Sequence, residues 1–162
     1  MVDRHVVKMI LESAQLLSTA HRLLDGEEYI DASSGRKIKR WRLNDNRNNV
    51  IYSATHVNHP SAIWTRLSVE NYNWLVDHFY ALIDEYKHRY NKVHKCKELA
   101  YVLQSPPLNL KAWDSTPVLC AMDEKYIISA DPVENYRNYY KVGKQHLHKY
   151  TKRDKPEWLN LA

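Results

Sequence analysis

Two stretches of this chain repeat their apolar residues at a helical period, and each runs for about five turns at 3.6 residues per turn. Val6, Ile10, Ala14, Leu17, Ala20 and Leu24 form one stripe; Tyr72, Leu75, Phe79, Leu82, Ile83, Tyr86 and Tyr90 form the other. Spacings of three and four put each set on one helix face, and such a face has to be buried against another element. Two helices of this length, packed together, predict a mainly α fold. The first is expected from Asp3, as N-cap, to Leu24, with Gly26 as its C′ stop; the second runs from the N-cap Ser68 to Tyr90. A length of 162 residues with 44% apolar content suits a single compact helical domain with an ordinary core.

Between the two helices the pattern changes. Residues 28–43 place Glu28-Tyr29-Ile30-Asp31 and Lys37 to Leu43 on either side of the turn-forming Ala32-Ser33-Ser34-Gly35, which predicts a small basic β-hairpin insertion. Asn44 to Asn49 reads as polar loop. His59-Pro60 opens a short helix. Lys97 to Gln104 reads as another, stopped by Pro106-Pro107, and residues 105–130 as an irregular connection. Asp131-Pro132-Val133-Glu134 starts a last helix, expected to reach Leu147, and residues 131–162 make a basic C-terminal helix and irregular tail.

The net charge of +5 hides an uneven distribution. Residues 36–47 carry Arg36, Lys37, Lys39, Arg40, Arg42 and Arg47 against Asp45 alone. Residues 136–155 carry seven cations, among them Arg137, Lys141 and Lys144, against Asp154 alone. The remainder is acidic. Trp41 lies in the first segment and Tyr140 in the second; five Trp and twelve Tyr against one Phe add aromatic faces with polar handles. Basic segments interleaved with aromatics point to a polyanion, DNA before other candidates, with an acidic protein surface as the alternative. Cys96 and Cys120 form no disulfide framework, and no apolar run is long enough to span a bilayer, so the expected setting is cytoplasmic, without a membrane partner. Three glycines leave no room for a glycine-rich phosphate loop, and the His56-Val57-Asn58-His59 and His146/His148 pairs lack the further ligands of a metal site; no metal and no cofactor is expected.

The polar face of the first helix is the candidate for chemistry. His5 and Glu12 are two turns apart, within roughly 20° of each other and about 10.5 Å apart along the axis, and Lys8 and Gln15 flank them. A carboxylate among cations serves a general base or a stabiliser of developing positive charge. The same residues also fit an i,i+4 ion pair between Lys8 and Glu12 on a solvated face. His59 and Arg66 are candidates for phosphate or base contact.

The Asp3-x-His5-x6-Glu12 pattern resembles the catalytic-glutamate helix of the small phage pyrimidine-dimer DNA glycosylases of the endonuclease V type. His59 before an aromatic run, the long helix ending in Glu85-x3-Arg89-Tyr90, and the aromatic, lysine-bearing Tyr136 to Lys144 are similar to later parts of that family in the same order. Leu11 and Gln15 stand where the family has arginines, and the hairpin looks like an insertion into it.

This resemblance implies a DNA-repair or DNA-modification hydrolase acting on a damaged or modified pyrimidine, in an infected bacterial host if the chain is phage-encoded. It implies Glu12 as the catalytic carboxylate, with His5 at the DNA face. In the family a backbone amine on a segment before the helix attacks the sugar C1′ and forms a Schiff base, after which β-elimination can cut the strand. Helix rise of about 1.5 Å per residue predicts that a Val2 amine stays out of reach of Glu12, so either the natural chain starts earlier, or the family's nucleophile is absent, or a lysine such as Lys8 replaces it. A non-catalytic nucleic-acid-binding protein, or a phage accessory protein, on the same scaffold is the alternative.

Overall fold

The computed structural model describes residues 1–160, a mainly α fold with one two-stranded antiparallel hairpin. Its elements are α1 (Asp3–Asp25), β1 (Glu27–Asp31), β2 (Ile38–Arg42), α2 (Arg47–Val50), α3 (Pro60–Thr65), α4 (Val69–Tyr90), α5 (Ala100–Leu103) and α6 (Pro132–Gly143). The long helices α1 and α4 pack against each other. Asp3 meets Arg89 at one end of the pair and His21 meets Tyr72 at the other, so they run antiparallel. The predicted stripes are the contact: Ile10, Ala14, Leu17 and Ala20 from α1 join Tyr72, Leu75, Phe79, Leu82 and Ile83 from α4 in one buried cluster.

Several local expectations are corrected. Val2, not Asp3, is the N-cap of α1, and it is extended and buried. Asp3 turns its carboxylate inward instead, accepting from Arg89 Nη1 at 2.8 Å, the Thr151 amide at 2.9 Å and the Thr151 hydroxyl at 2.7 Å. Gly26 ends α1 in an extended conformation, φ −95°, rather than a left-handed one. It is required for closeness: a Cβ there would lie 2.4 Å from the Arg22 carbonyl oxygen and 3.1 Å from that of Arg42. The polar loop at 44–49 contains the start of the single turn α2, anchored by Arg47. The helix expected at 97–104 is a 3-10 turn over Lys95–Leu99 followed by α5. The last helix stops at Gly143, where the ring of Tyr126 crowds the backbone, and continues only as a 3-10 turn over Gln145–Leu147.

Three polar networks position the rest. Arg89 bridges Asp3 and Glu85, and Arg153 from the tail closes on Glu85 at 2.7 Å. With the Asp3 amide donating to the Lys149 carbonyl at 2.9 Å, the C-terminal tail is strapped across the start of α1 and the end of α4. At the other end, Arg22 gives all its donors to neutral acceptors: the carbonyls of Trp41, Asn48, Ile51 and Tyr52, and the Asn48 side chain. This fastens the hairpin base and residues 48–52 onto α1. Beside it, Tyr72 donates to the Leu103 carbonyl, so His21 Nε2 donates to the Tyr72 hydroxyl and Nδ1 accepts from Arg47. Asp25 takes Arg47 at 2.6 Å together with the amides of Leu108 and Asn109. The irregular 105–130 connection is held by buried Asn71, which pairs with Thr116 and Trp64, and by buried Asn135, which pairs with Ile128 and Ser129.

Candidate nucleic-acid interface

The face of α1 opposite the core carries Arg4, Lys8, Glu12 and Gln15, with His5 at its edge. Its far end is covered, because Thr19 pairs with Thr55 and Arg22 lies under residues 48–52. Its near end meets α6. His5 Nδ1 shares a short hydrogen bond with the Tyr140 hydroxyl, their rings edge to face with centroids 5.4 Å apart. Trp158 packs edge-on against Tyr140, Arg137 lies 5.8 Å over the Trp158 ring, and Lys144 lies 4.8 Å over the Tyr139 ring. The chain ends, 135 residues apart, therefore make one aromatic and cationic surface.

The electrostatics of that surface favour a neutral histidine. Burial lowers the pKa of His5, Lys144 and Lys8 lower it further, and Glu12 opposes them. Burial pushes the Tyr140 phenol up to about 12, with Tyr150 and Tyr139 adding to the rise. Tyr140 thus keeps its proton across the physiological range. The His5 tautomer sets the direction of the bond; in the tautomer whose Nδ1 accepts from the phenol, Nε2–H is left as a donor for a bound group.

Lys8 Nζ lies 2.9 Å from Glu12 Oε1, with the two side chains 63% and 38% exposed. The carboxylate is solvated and singly paired, as the i,i+4 expectation has it. Gln15 is half-buried beside it. Next to this face Arg4, Val7, Lys8, Tyr90 and Lys149 line an open groove of about 420 Å³. Sequence reasoning did not single out Arg4 or Lys149. The i,i+4 spacing of Arg4 and Lys8 was a usable signal, whereas Lys149 arrives only because the tail is strapped over Asp3.

Most of the remaining predicted residues lie elsewhere. Arg36, Lys37, Lys39, Arg40, Trp41 and Arg42 belong to the hairpin at the opposite end of α1. Strand pairing sets carboxylates beside two of them: Lys39 meets Glu28 and Arg40 meets Asp31, both at 2.9 Å. Arg42 stacks on Tyr29 at 4.7 Å, and Trp41 is half-buried at the hairpin base. His59 is exposed, and its Nδ1 caps α3 by accepting from the Ser61 amide. Arg66 is half-buried with its Nη1 unpartnered, and burial lowers its pKa. Lys141 is half-buried on α6. Among the described residues no cluster of His, Cys, Asp and Glu could hold a metal, and no helix is long and apolar enough to cross a membrane. Comparison with protein-family models, curated proteins and solved structures finds no match to this chain.

Proposed function

We propose that this is a DNA-processing protein that engages DNA with the surface where α1 meets α6. One observation carries the reading: the His5–Tyr140 hydrogen bond joins the polar line of α1 to the aromatic, cationic α6. Arg4, Lys8, Arg137 and Lys144 suit phosphates, the Tyr140 and Trp158 rings suit bases, and Nε2–H of His5 suits a phosphate or sugar oxygen.

In the glycosylase form of this role the target is a damaged or modified pyrimidine nucleotide turned out of the stack. Glu12 takes a proton from the Lys8 ammonium, and the freed amine attacks C1′. The N–C1′ bond forms as the C1′–base bond breaks, and the base leaves with the electron pair and is protonated by solvent. Glu12, once it has passed the proton to solvent, is again a carboxylate and stabilises the positive charge that remains at the new N–C1′ bond. The 2.9 Å contact between Lys8 and Glu12 favours this form. A non-catalytic DNA-binding role is favoured by the exposure of Glu12, since an acid–base carboxylate gains strength from exclusion of water.

Anisotropy titrations against salt test the binding. Four phosphate contacts give a log–log slope of about −3.6, and neutralising Arg4 and Lys144 lowers it by nearly two. A salt-insensitive interaction refutes the reading. Borohydride trapping on duplexes bearing a pyrimidine dimer or an abasic site tests the chemistry. A covalent adduct that Lys8→Ala and Glu12→Gln abolish supports catalysis; salt-steep binding without an adduct leaves the non-catalytic form.

A further inference from the structure

We infer that the hairpin is a rigid arm that grips duplex DNA about one helical turn away from the α1–α6 surface, a reading that rests on the DNA-binding role above. None of its ten strand residues is buried, and Ile30 is 56% exposed, so the ribbon stands clear of the core. An arm held only by its ends would be loose. This one is fixed at its base by the Arg22 hydrogen bond to the Trp41 carbonyl and by the close approach of Gly26 to Arg42, while the other four Arg22 hydrogen bonds hold the following residues 48–52.

Charge within the hairpin is sorted by the strand register. Glu28 and Asp31 neutralise Lys39 and Arg40, whereas Arg36 and Lys37 at the tip are exposed and make no ion pair among the described residues. The tip is a formed turn, with Asp31 accepting from the amide and hydroxyl of Ser33 and Gly35 at φ +77°. Positive charge is therefore presented outward at the end of a built element. A two-stranded ribbon has the width that the major groove admits.

Placement supplies the spacing. Lys8, Gln15 and Arg22 are seven residues apart and lie nearly on one line of α1. The hairpin base sits on Arg22 and α6 meets the helix at His5, so both ends adjoin the same polar face. Residue 5 and the hairpin base at residue 26 are about 31 Å apart at 1.5 Å per residue, close to the ~34 Å of one duplex turn, and the tip stands up to about 16 Å from that base along the five-residue strands. Two cationic elements flanking one helix face fit a long, uniformly charged polyanion such as a duplex, which can reach both.

The test compares wild type with the double variant Arg36→Ala/Lys37→Ala on 20-bp and 8-bp duplexes by anisotropy. Both substituted side chains are exposed and make no ion pair among the described residues, so folding is expected to survive, as circular dichroism would verify. Affinity for the 20-bp duplex should fall about tenfold, with a salt slope shallower by nearly two, and affinity for the 8-bp duplex, too short to span both sites, should not change. Equal losses on both lengths, or none on the longer one, overturn the arm while leaving the α1–α6 reading in place. If the tip variant weakens binding and Arg4→Ala/Lys144→Ala does not, the arm stands and the α1–α6 surface fails. Binding of the wild type to neither duplex overturns both.

Discussion

Arg22→Met is the substitution that most sharply tests how the hairpin is attached. Arg22 is 6% exposed and carries a charge with no carboxylate partner among the described residues; its five hydrogen bonds, 2.6 to 3.0 Å long, go to neutral oxygens of Trp41, Asn48, Ile51 and Tyr52. Each such charge-assisted bond contributes about 1.5 kcal/mol or more. The sum is not lost in full, because Met avoids the cost of burying a guanidinium, a cost reflected in the lowered pKa of Arg22, and the loosened segment can rehydrate its carbonyls. A net loss of about 3–4 kcal/mol is expected, comparable to breaking a buried charged network. For a chain of this size that lowers Tm by about 10 °C. Arg22→Lys should lose nearly as much, since one ammonium cannot reproduce a planar fork. Thermal unfolding measures the loss, and amide exchange should show faster exchange in residues 27–52 than in α4. A loss under about 1 kcal/mol for Arg22→Met, or full retention by Arg22→Lys, would falsify the view that fork geometry holds the hairpin.

Three further outcomes follow from the same structure. His21 is 1% exposed with its pKa lowered to about 4, first by burial and then by Arg47, so below pH 6.5 the folded state binds fewer protons than the unfolded one. Stability should therefore decline as pH falls from 6.5 to 4, by about 3 kcal/mol at 1.36 kcal/mol per pKa unit, and this slope should vanish in His21→Gln when Tm is followed against pH. Glu85 is held at about 2, chiefly by Arg153 with Arg89 adding to it, so its contribution is present above pH 4.5 and lost towards pH 2; Glu85→Gln should flatten that acid limb, and an unchanged limb counts against the strap. Gly26→Ala places a Cβ 2.4 Å from a backbone oxygen and should cost about 2 kcal/mol in urea unfolding, with a neutral result showing that the α1–β1 junction can shift.

The long helices and the hairpin were legible because their signals are local. An apolar residue every third or fourth position defines a face whatever it packs on, and Asp31 to Gly35 dictate a turn from their own side chains. The N-cap of α1 was misassigned because Asp3 has the right chemistry for a cap, and only the arrival of Arg89 and Thr151 draws its carboxylate inward. Gly26 is recognisable as a helix end, but part of its reason, the approach of the Arg42 carbonyl, belongs to the hairpin folding back, while the other carbonyl, Arg22's, is α1's own. The helix expected to reach Leu147 ends at Gly143, against the ring of Tyr126, a neighbour that no pattern within residues 131–147 announces.

The candidate site divides in the same way. By itself the sequence determined that His5, Lys8, Glu12 and Gln15 share a helix face and that cations concentrate in two segments, because 3.6-residue periodicity and composition act within a segment. Only tertiary structure decided that Tyr140 and Lys144 join His5, that Lys39 and Arg40 are matched by Glu28 and Asp31, and that the two basic elements stand at opposite ends of α1. Those outcomes depend on which distant groups helix packing and strand register bring within hydrogen-bond reach. Coulomb attraction and desolvation are settled at that distance and not by spacing along the chain.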